Sequence, residues 1–410
     1  MRVALAVEGT RGDVYPMIAL AESLAAAGHH VRVCAPPDFR APVSERGWEF
    51  RPVGRSVREF LTAEAESMTR GALALLRATD RYARDSLAAQ FAALPAATEG
   101  ADCILAAGVQ FAARTAAELH GVPFRYVAYC PVLLPSGDYP PLVVPSQSLP
   151  GWGNRALWRL MIATWNRVLG RQFNRERAAL GLAPVADVHR HILSARPVLA
   201  ADADLAPRPL DWTLDVEQVP CLHPISGPPL PPKLESFLNA GAPPIYLGFG
   251  SMTDARPEAT TRALLEAVTS LGRRALISRG WAGLGGGALP EGVFALGSVS
   301  HARLFPRVAA VVHHGGAGTT TTAARAGVPQ VVVPHVLDQF YWARRVSRLG
   351  LGPPPLPRVR LRAKQLAAVL GAVLDNDVVV ERARELGERL RDAHARAPDP
   401  ARIVELPAGS

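Results

Sequence analysis

The residues best equipped for chemistry gather between positions 308 and 350. An apolar run, Val308-Ala309-Ala310-Val311-Val312, leads into His313-His314-Gly315-Gly316-Ala317-Gly318-Thr319-Thr320 and then into a helical pattern ending at Arg325. A strand, a glycine-rich turn and a helix start bring unpaired backbone N–H groups and the positive end of a helix dipole to one point. The glycines let the backbone approach a phosphate closely, and the threonine hydroxyls can cap the helix or donate to phosphate oxygens. A second apolar run, Gln330-Val331-Val332-Val333, ends at Pro334-His335-Val336-Leu337-Asp338-Gln339. That places a carboxylate and an amide just beyond a strand's carboxyl end, where open α/β sheets bind ligands. The chemistry this pattern suits is the holding of a diphosphate. A turn kept only for packing is the plainer alternative, and the joint presence of histidine, glycines, threonines and the Asp-Gln pair speaks against it.

Two other loops occupy equivalent places. Gly9-Thr10-Arg11-Gly12-Asp13 follows the opening apolar run; Arg11 can meet an anion, and Asp13 stands at a helix start, where a dipole favours a carboxylate. Taken alone, Asp13 reads as a helix cap. The loop lacks the G-x-G-x-x-G spacing of a nicotinamide-dinucleotide site. Gly248-Phe249-Gly250-Ser251 suits a second contact to phosphate, and Gly297-Ser298-Val299-Ser300-His301 either presents backbone groups to a nucleobase or is a plain loop.

The elements that must position these loops alternate in type. Residues 3–7, 31–34, 103–107 and 125–129 read as strands, residues 17–27 and 111–119 as helices, and residues 57–94 as one long helical stretch. This alternation predicts a parallel, doubly wound α/β sheet, repeated from Ile245 onward. The chain divides into an N-terminal domain (1–222), a proline-rich, extended connector (223–244), a C-terminal domain (245–385) and a final helix and tail (386–410) with the option of packing back on the first domain. Residues 132–149 form a long non-periodic apolar loop, a candidate substrate wall carrying Val132, Leu133, Tyr139 and Leu142. Trp158 and Trp165 read as the inner face of an amphipathic helix.

Composition narrows the function further. At 410 residues two domains are the default, and 49% apolar content is ordinary for a soluble enzyme. The net charge is +9, but only Lys233 and Lys364 are lysines and the arginines are scattered singly, so nucleic acid is not an expected partner. No segment approaches the roughly 20 apolar residues that span a bilayer, and no leader-like region precedes the first strand. A cytosolic protein is expected, with peripheral membrane contact left open. Cys34, Cys103, Cys130 and Cys221 are widely spaced, which favours buried free thiols over a metal or redox site.

The stretch 297–352 resembles the donor-binding signature of family 1 nucleotide-sugar glycosyltransferases of the GT-B fold. Leu304-Phe305-Pro306, His313-His314-Gly315-Gly316-Ala317-Gly318-Thr319 and Asp338-Gln339-Phe340 are particularly similar to the subgroup of bacterial antibiotic and sterol glycosyltransferases. Gly9-Thr10-Arg11-Gly12-Asp13-Val14 with Pro16, and Gly248-Phe249-Gly250-Ser251-Met252, match that subgroup's two domain openings; the likeness is weakest over residues 60–230. The resemblance implies two Rossmann-like domains facing across a cleft, and a UDP- or dTDP-sugar as co-substrate, with no cofactor. It implies diphosphate contacts from His314, Gly316, Ala317, Gly318 and Thr319. Thr10, Arg11 and Ser251 would approach from the facing loops, Ser298 and Val299 would lie by the base, and Asp338 and Gln339 would hold sugar hydroxyls. Asp13 occupies the place of the general base for inverting transfer to a hydroxyl of a lipophilic natural product. Glu8 departs from the family; it either raises the proton affinity of Asp13 or points into solvent. Asp202-Ala203-Asp204 and Asp375-Asn376-Asp377 spell the motif of metal-dependent transferases but read as solvated turns, so no metal is expected. A nucleotide-sugar epimerase and a non-catalytic partner of another transferase are the rival readings, and either a monomer or a homodimer is compatible.

Overall fold

The computed structural model describes residues 1–64, 72–222 and 228–405. Two all-parallel sheets form two lobes. The N-lobe sheet contains β1 (Arg2–Glu8), β2 (His30–Ala35), β3 (Glu49–Pro52), β4 (Cys103–Gly108), β5 (Phe124–Ala128), β6 (Val198–Ala200) and β7 (Glu217–Val219) in the order β3-β2-β1-β4-β5-β6-β7. The C-lobe sheet contains β8 (Ile245–Gly248), β9 (Ala275–Ser278), β10 (Val293–Leu296), β11 (Ala310–His313) and β12 (Gln330–Val332) in the order β10-β9-β8-β11-β12. Both orders reverse direction beside the first strand, so each lobe has a switch point where the loops after neighbouring strands diverge. The central strands are apolar on both faces, as parallel strands covered by helices must be: residues 3–7 of β1 and the whole of β11 are buried.

The helices that carry the site and its packing are α1 (Arg11–Ala26), α2 (Ala72–Ala97), α3 (Gly151–Val168), α4 (Pro232–Asn239), α5 (Ala317–Arg325), α6 (Gln339–Arg348) and α7 (Asp377–Ala395). The expected helix over 57–94 is two helices, Val57–Ala63 and α2; residues 65–71 lie outside the described residues. The expected extended connector also needs correction. Its first five residues, 223–227, lie outside the described residues, but its second half forms α4, with Pro232 at the first helical position. Leu230, Leu234 and Leu238 bury themselves in the C-lobe core, against Tyr246 and Phe305 among others. Apolar residues at four-residue spacing outweigh the flanking prolines. The boundary placed at 385 falls inside the continuous helix α7, which packs on α5; the short turn Pro400–Val404 beyond it buries Ile403 and Val404 in the N-lobe core, and that turn touches α1.

The lobes are joined by bonds on both sides of the seam between them. Arg325 of α5 pairs with both oxygens of Asp202, at 2.7 and 2.9 Å, and both side chains are buried. Asp202 also accepts from the Cys221 amide, and the Arg325 guanidinium from the other side reaches the Cys221 carbonyl. Asp202 is therefore no solvated turn residue, and the correction has a plain cause: its carboxylate is the counter-charge of a C-lobe arginine. Asp204 is the exposed one, facing Arg389 at 3.4 Å. Asn376 caps α7, which accounts for the second acidic triplet. Removing one partner of a buried pair leaves a desolvated charge, whereas an exposed pair contributes little. Asp202→Ala is expected to lower unfolding free energy by about 3–5 kcal/mol, and Asp204→Ala by less than about 1 kcal/mol, in equilibrium urea denaturation. Equal effects of the two would remove the buried pair from its structural role.

Candidate active site

The site is built where the loops after β1, β4, β8, β11 and β12 meet. On the N-lobe side, Thr10 caps α1: its hydroxyl accepts from the Gly12 amide at 3.2 Å, and the Asp13 carboxylate accepts from the Thr10 amide at 2.8 Å. The reciprocal pair fixes Asp13 at the third helical position. Gly9, at φ +150°, must be glycine because the Asp13 carboxyl occupies the space its side chain would fill. Tyr129 Oη donates to the Asp13 carbonyl at 2.9 Å. The cap and the candidate base are the same carboxylate.

On the C-lobe side, β11 ends in two histidines with different tasks. His313 is fully buried, bonds Gln330 at 2.9 Å and accepts from the Gly315 amide at 3.1 Å, so it shapes the turn. His314 lies in the seam between two glycines. A side chain at Gly250 (φ +59°) would sit 2.9 Å from its ring, and one at Gly316 would sit 2.6 Å from it. Its Nδ1 is buried with no hydrogen-bond partner among the described residues. Burial, then the neighbouring His313, His335 and His301, holds its pKa well below the usual range, so the ring is a neutral donor.

The helix after it starts bare. Gly316 offers no side-chain cap to α5, and the first intrahelical bond runs from Thr320 to the Gly316 carbonyl. The amides of Ala317, Gly318 and Thr319 precede it without helical partners. Thr320 and Thr322 return their hydroxyls to the carbonyls of Gly316 and Gly318, and Thr321 is buried, so of the threonine run Thr319 is the one placed for a ligand. Ala317 packs against an N-lobe core cluster and against a second cluster shared by both lobes, and α1 touches α5, so the two helix starts meet across the seam. Arg11 stands over the Trp281 ring at 6.0 Å, and Thr253 donates to the Leu61 carbonyl at 3.2 Å, both from one lobe to the other.

Asp338 and Gln339 behave differently from each other. Asp338 is half-buried and accepts from Trp342 Nε1 at 3.1 Å. Burial and then the charge of Asp13 raise its pKa to about 7; burial alone raises Asp13 to about 6 against the opposing bonds from Thr10. The charge of Asp13 therefore reaches Asp338 across the seam. Gln339 instead holds its own loop: its amide oxygen accepts from the His335 and Val336 amides, at 2.8 and 3.1 Å, and its nitrogen points to Met252 Sδ. Leu337, just before them, has φ +56°, a strained conformation for a leucine.

Other expected residues fall nearby with varied exposure. Ser251 is buried beside the Gly250 turn, Ser298 is exposed, and Val299 packs on the C-lobe core. Of the apolar loop, Leu133, Tyr139 and Leu142 are half-buried, and the Tyr139 ring meets Tyr341 of α6 edge-on at 4.9 Å. Val132 has no exposed surface and belongs to the N-lobe core, so it offers no free wall. Glu8 neither faces solvent nor acts on Asp13. It is fully buried and accepts from Tyr82, Ser86 and Gln90 at 2.8, 2.5 and 2.7 Å, with burial raising its pKa. Gln110 was missed by sequence reasoning. It is buried, neither end of its amide has a partner among the described residues, and it lies two residues beyond Gly108, whose own side-chain space is bounded by Asp13. The usable signal was a polar residue directly past a strand's carboxyl end.

Two facing Rossmann-like lobes, with a bare helix start on one side and a raised carboxylate on the other, are the architecture of a GT-B glycosyltransferase. Comparison with known proteins agrees. Residues 3–134 match the model described as glycosyltransferase family 28 N-terminal domain, and residues 263–407 the one described as erythromycin biosynthesis protein CIII-like, C-terminal domain. Glycosyltransferase GtfE of Amycolatopsis orientalis is 41% identical over 97% of this chain and 96% of its own length. The vancomycin aglycone glucosyltransferase of the same organism is 39% identical over 90% of each. The solved spinosyn rhamnosyltransferase SpnG complexed with thymidine diphosphate shares the fold, with a TM-score of 0.69, 19% identity and 99% of each chain covered. The chain belongs to the family 1 GT-B glycosyltransferases, and it is a sugar-transferring enzyme.

The raised carboxylates carry a pH consequence. To serve as a base Asp13 must be ionised, and in that role it is expected to make kcat/KM fall as pH drops through about 6. Because folding raises that value, the ionised form weakens the fold as pH rises through it. Asp13→Asn keeps an oxygen for the Thr10 amide, so it is expected to retain the fold, with equal or higher melting temperature at pH above about 7, while losing turnover. A pH–rate profile with circular dichroism checks this; full turnover in the variant would remove Asp13 as base.

Proposed function

We propose that the enzyme transfers a sugar, with inversion and without a metal, from a UDP- or dTDP-activated donor to a hydroxyl of a lipophilic natural-product aglycone. The observation that carries this reading is the pairing of an uncapped helix start beside the neutral donor His314 with Asp13 across the seam. The diphosphate sits against the amides of Ala317, Gly318 and Thr319, with Gly316 allowing close approach and His314 donating from the side. Thr10, Arg11 and Ser251 flank it, Ser298 and Val299 lie by the nucleobase, and Asp338 receives sugar hydroxyls on its unbonded oxygen. Gln339 contributes by holding the 335–336 backbone.

Asp13 takes the proton of the acceptor hydroxyl as that oxygen bonds to the anomeric carbon. The glycosidic C–O bond to the diphosphate breaks on the opposite face, and its electron pair leaves with the nucleoside diphosphate. Negative charge grows on phosphate oxygens where the amides and His314 already point, so stabilisation is greatest in the transition state. This arrangement performs the task a metal has in other transferases, and Asp202 of the acidic triplet serves Arg325 instead. No cofactor beyond the nucleotide sugar is needed. Tyr139 of the half-buried apolar loop and the unpartnered Gln110 amide are the candidates for acceptor contact. The name of the vancomycin aglycone glucosyltransferase favours a glycopeptide aglycone as acceptor, and the thymidine diphosphate bound by the spinosyn rhamnosyltransferase favours a nucleoside diphosphate in the C-lobe.

The test is turnover of a nucleotide sugar with vancomycin aglycone in the presence of EDTA. Transfer with an inverted anomeric centre is expected, and His314→Ala should lower kcat roughly a hundredfold, the effect of losing one transition-state donor. Sugar isomerised without any aglycone would show an epimerase instead, and dependence on added metal would refute the metal-free scheme.

A further inference from the structure

The outer side of α3 bears charge and apolar bulk that the seam does not use. The helix contains three arginines and no carboxylate. Arg155, Arg159 and Arg167 all lie on its exposed side with Trp152, 73% exposed, and Leu160, 64% exposed. In the sequence these arginines look scattered; the helical period gathers them. The opposite side is anchored: Asn154 donates to the Gly137 carbonyl at 2.8 Å, and Trp158 Nε1 to the Tyr139 carbonyl at 2.9 Å. The helix cannot turn to hide Trp152. Beside its first turn, Leu210 is 98% exposed, on a loop held by Asp211, which accepts from Ser136 and Gly137 and lies 3.7 Å from Arg155. Apart from Asp211, already bonded, Asp138 is the acidic residue in this stretch. The next helix, Gly170–Ala179, adds exposed Arg171 and Arg175, with Glu176 half-buried beside them.

A tryptophan and leucines standing in solvent among arginines are unfavourable on a surface that stays free. The same set suits an interface where apolar side chains enter the headgroup layer and guanidinium groups meet lipid phosphates. We propose that this face docks the enzyme on an anionic phospholipid surface, with Trp152, Leu160 and Leu210 entering the headgroup layer. The charge decides the occupant: an uncharged bilayer or a basic partner would leave the arginines unmatched. Docking there would hold the apolar loop at Tyr139, directly behind α3, close to the phase into which lipophilic acceptors partition. The inference does not depend on which donor or acceptor the seam takes.

Co-sedimentation with phosphatidylcholine–phosphatidylglycerol vesicles, against pure phosphatidylcholine vesicles, tests it. Binding is expected to require the anionic lipid and to weaken with salt. The pairs Trp152→Ser with Leu160→Ser, and Arg159→Glu with Arg167→Glu, should each lower vesicle affinity about tenfold or more. Their circular dichroism should be unchanged, because all four side chains are exposed. No lipid-dependent sedimentation, or sedimentation indifferent to both pairs, would overturn the proposal. So would a dimer in size-exclusion chromatography that the same substitutions split, which would assign the face to a second copy.

Discussion

An α-helix begins with amides that its own backbone cannot satisfy, and this chain treats that constraint in opposite ways at its two key helices. At α1 the demand is met from within: Thr10 and Asp13 cap each other, and the carboxylate is locked at the seam. At α5 it is left unmet, because Gly316 has no side chain to give and the threonines further in turn back to carbonyls. Bare amides aligned with a helix dipole form a site for an anion. The parallel sheets follow from this requirement, since only strands that all run the same way bring every following loop to one edge.

The seam between the joined lobes is a place of low polarity with two carboxylates in it. Both Asp13 and Asp338 are pushed upward, and part of the shift at Asp338 is the charge of Asp13 itself. A carboxylate poised near neutral pH takes a proton more readily than an ordinary surface aspartate. Burial there leaves His314 uncharged, so it offers a hydrogen bond and adds no fixed positive charge. The lobes are held together away from the chemistry, by the buried Arg325–Asp202 pair and by a core cluster in which residues of α6 and α7 join N-lobe residues.

Much of this is legible in the sequence. Strand runs such as 3–7 and 308–312 are apolar without interruption, the mark of strands buried on both faces, and the glycine-rich loops after them announce the edge where they gather. What failed to show has a common cause. Asp202 and Glu8 are polar residues whose partners lie far along the chain, on Arg325 and on α2. Pattern within a window reports period and turn chemistry, but it carries no information on which distant side chain completes a hydrogen bond. The helix α4 was hidden for the opposite reason: prolines at its edges masked a short apolar repeat that only burial against Tyr246 and Phe305 makes worthwhile.

The most direct measurement is a crystal structure of the protein with thymidine or uridine diphosphate bound. The account predicts the terminal phosphate within hydrogen-bond reach of the Ala317–Thr319 amides and of His314, with Asp13 facing the position a sugar would take. A diphosphate bound elsewhere, with that helix start still bare, would contradict it.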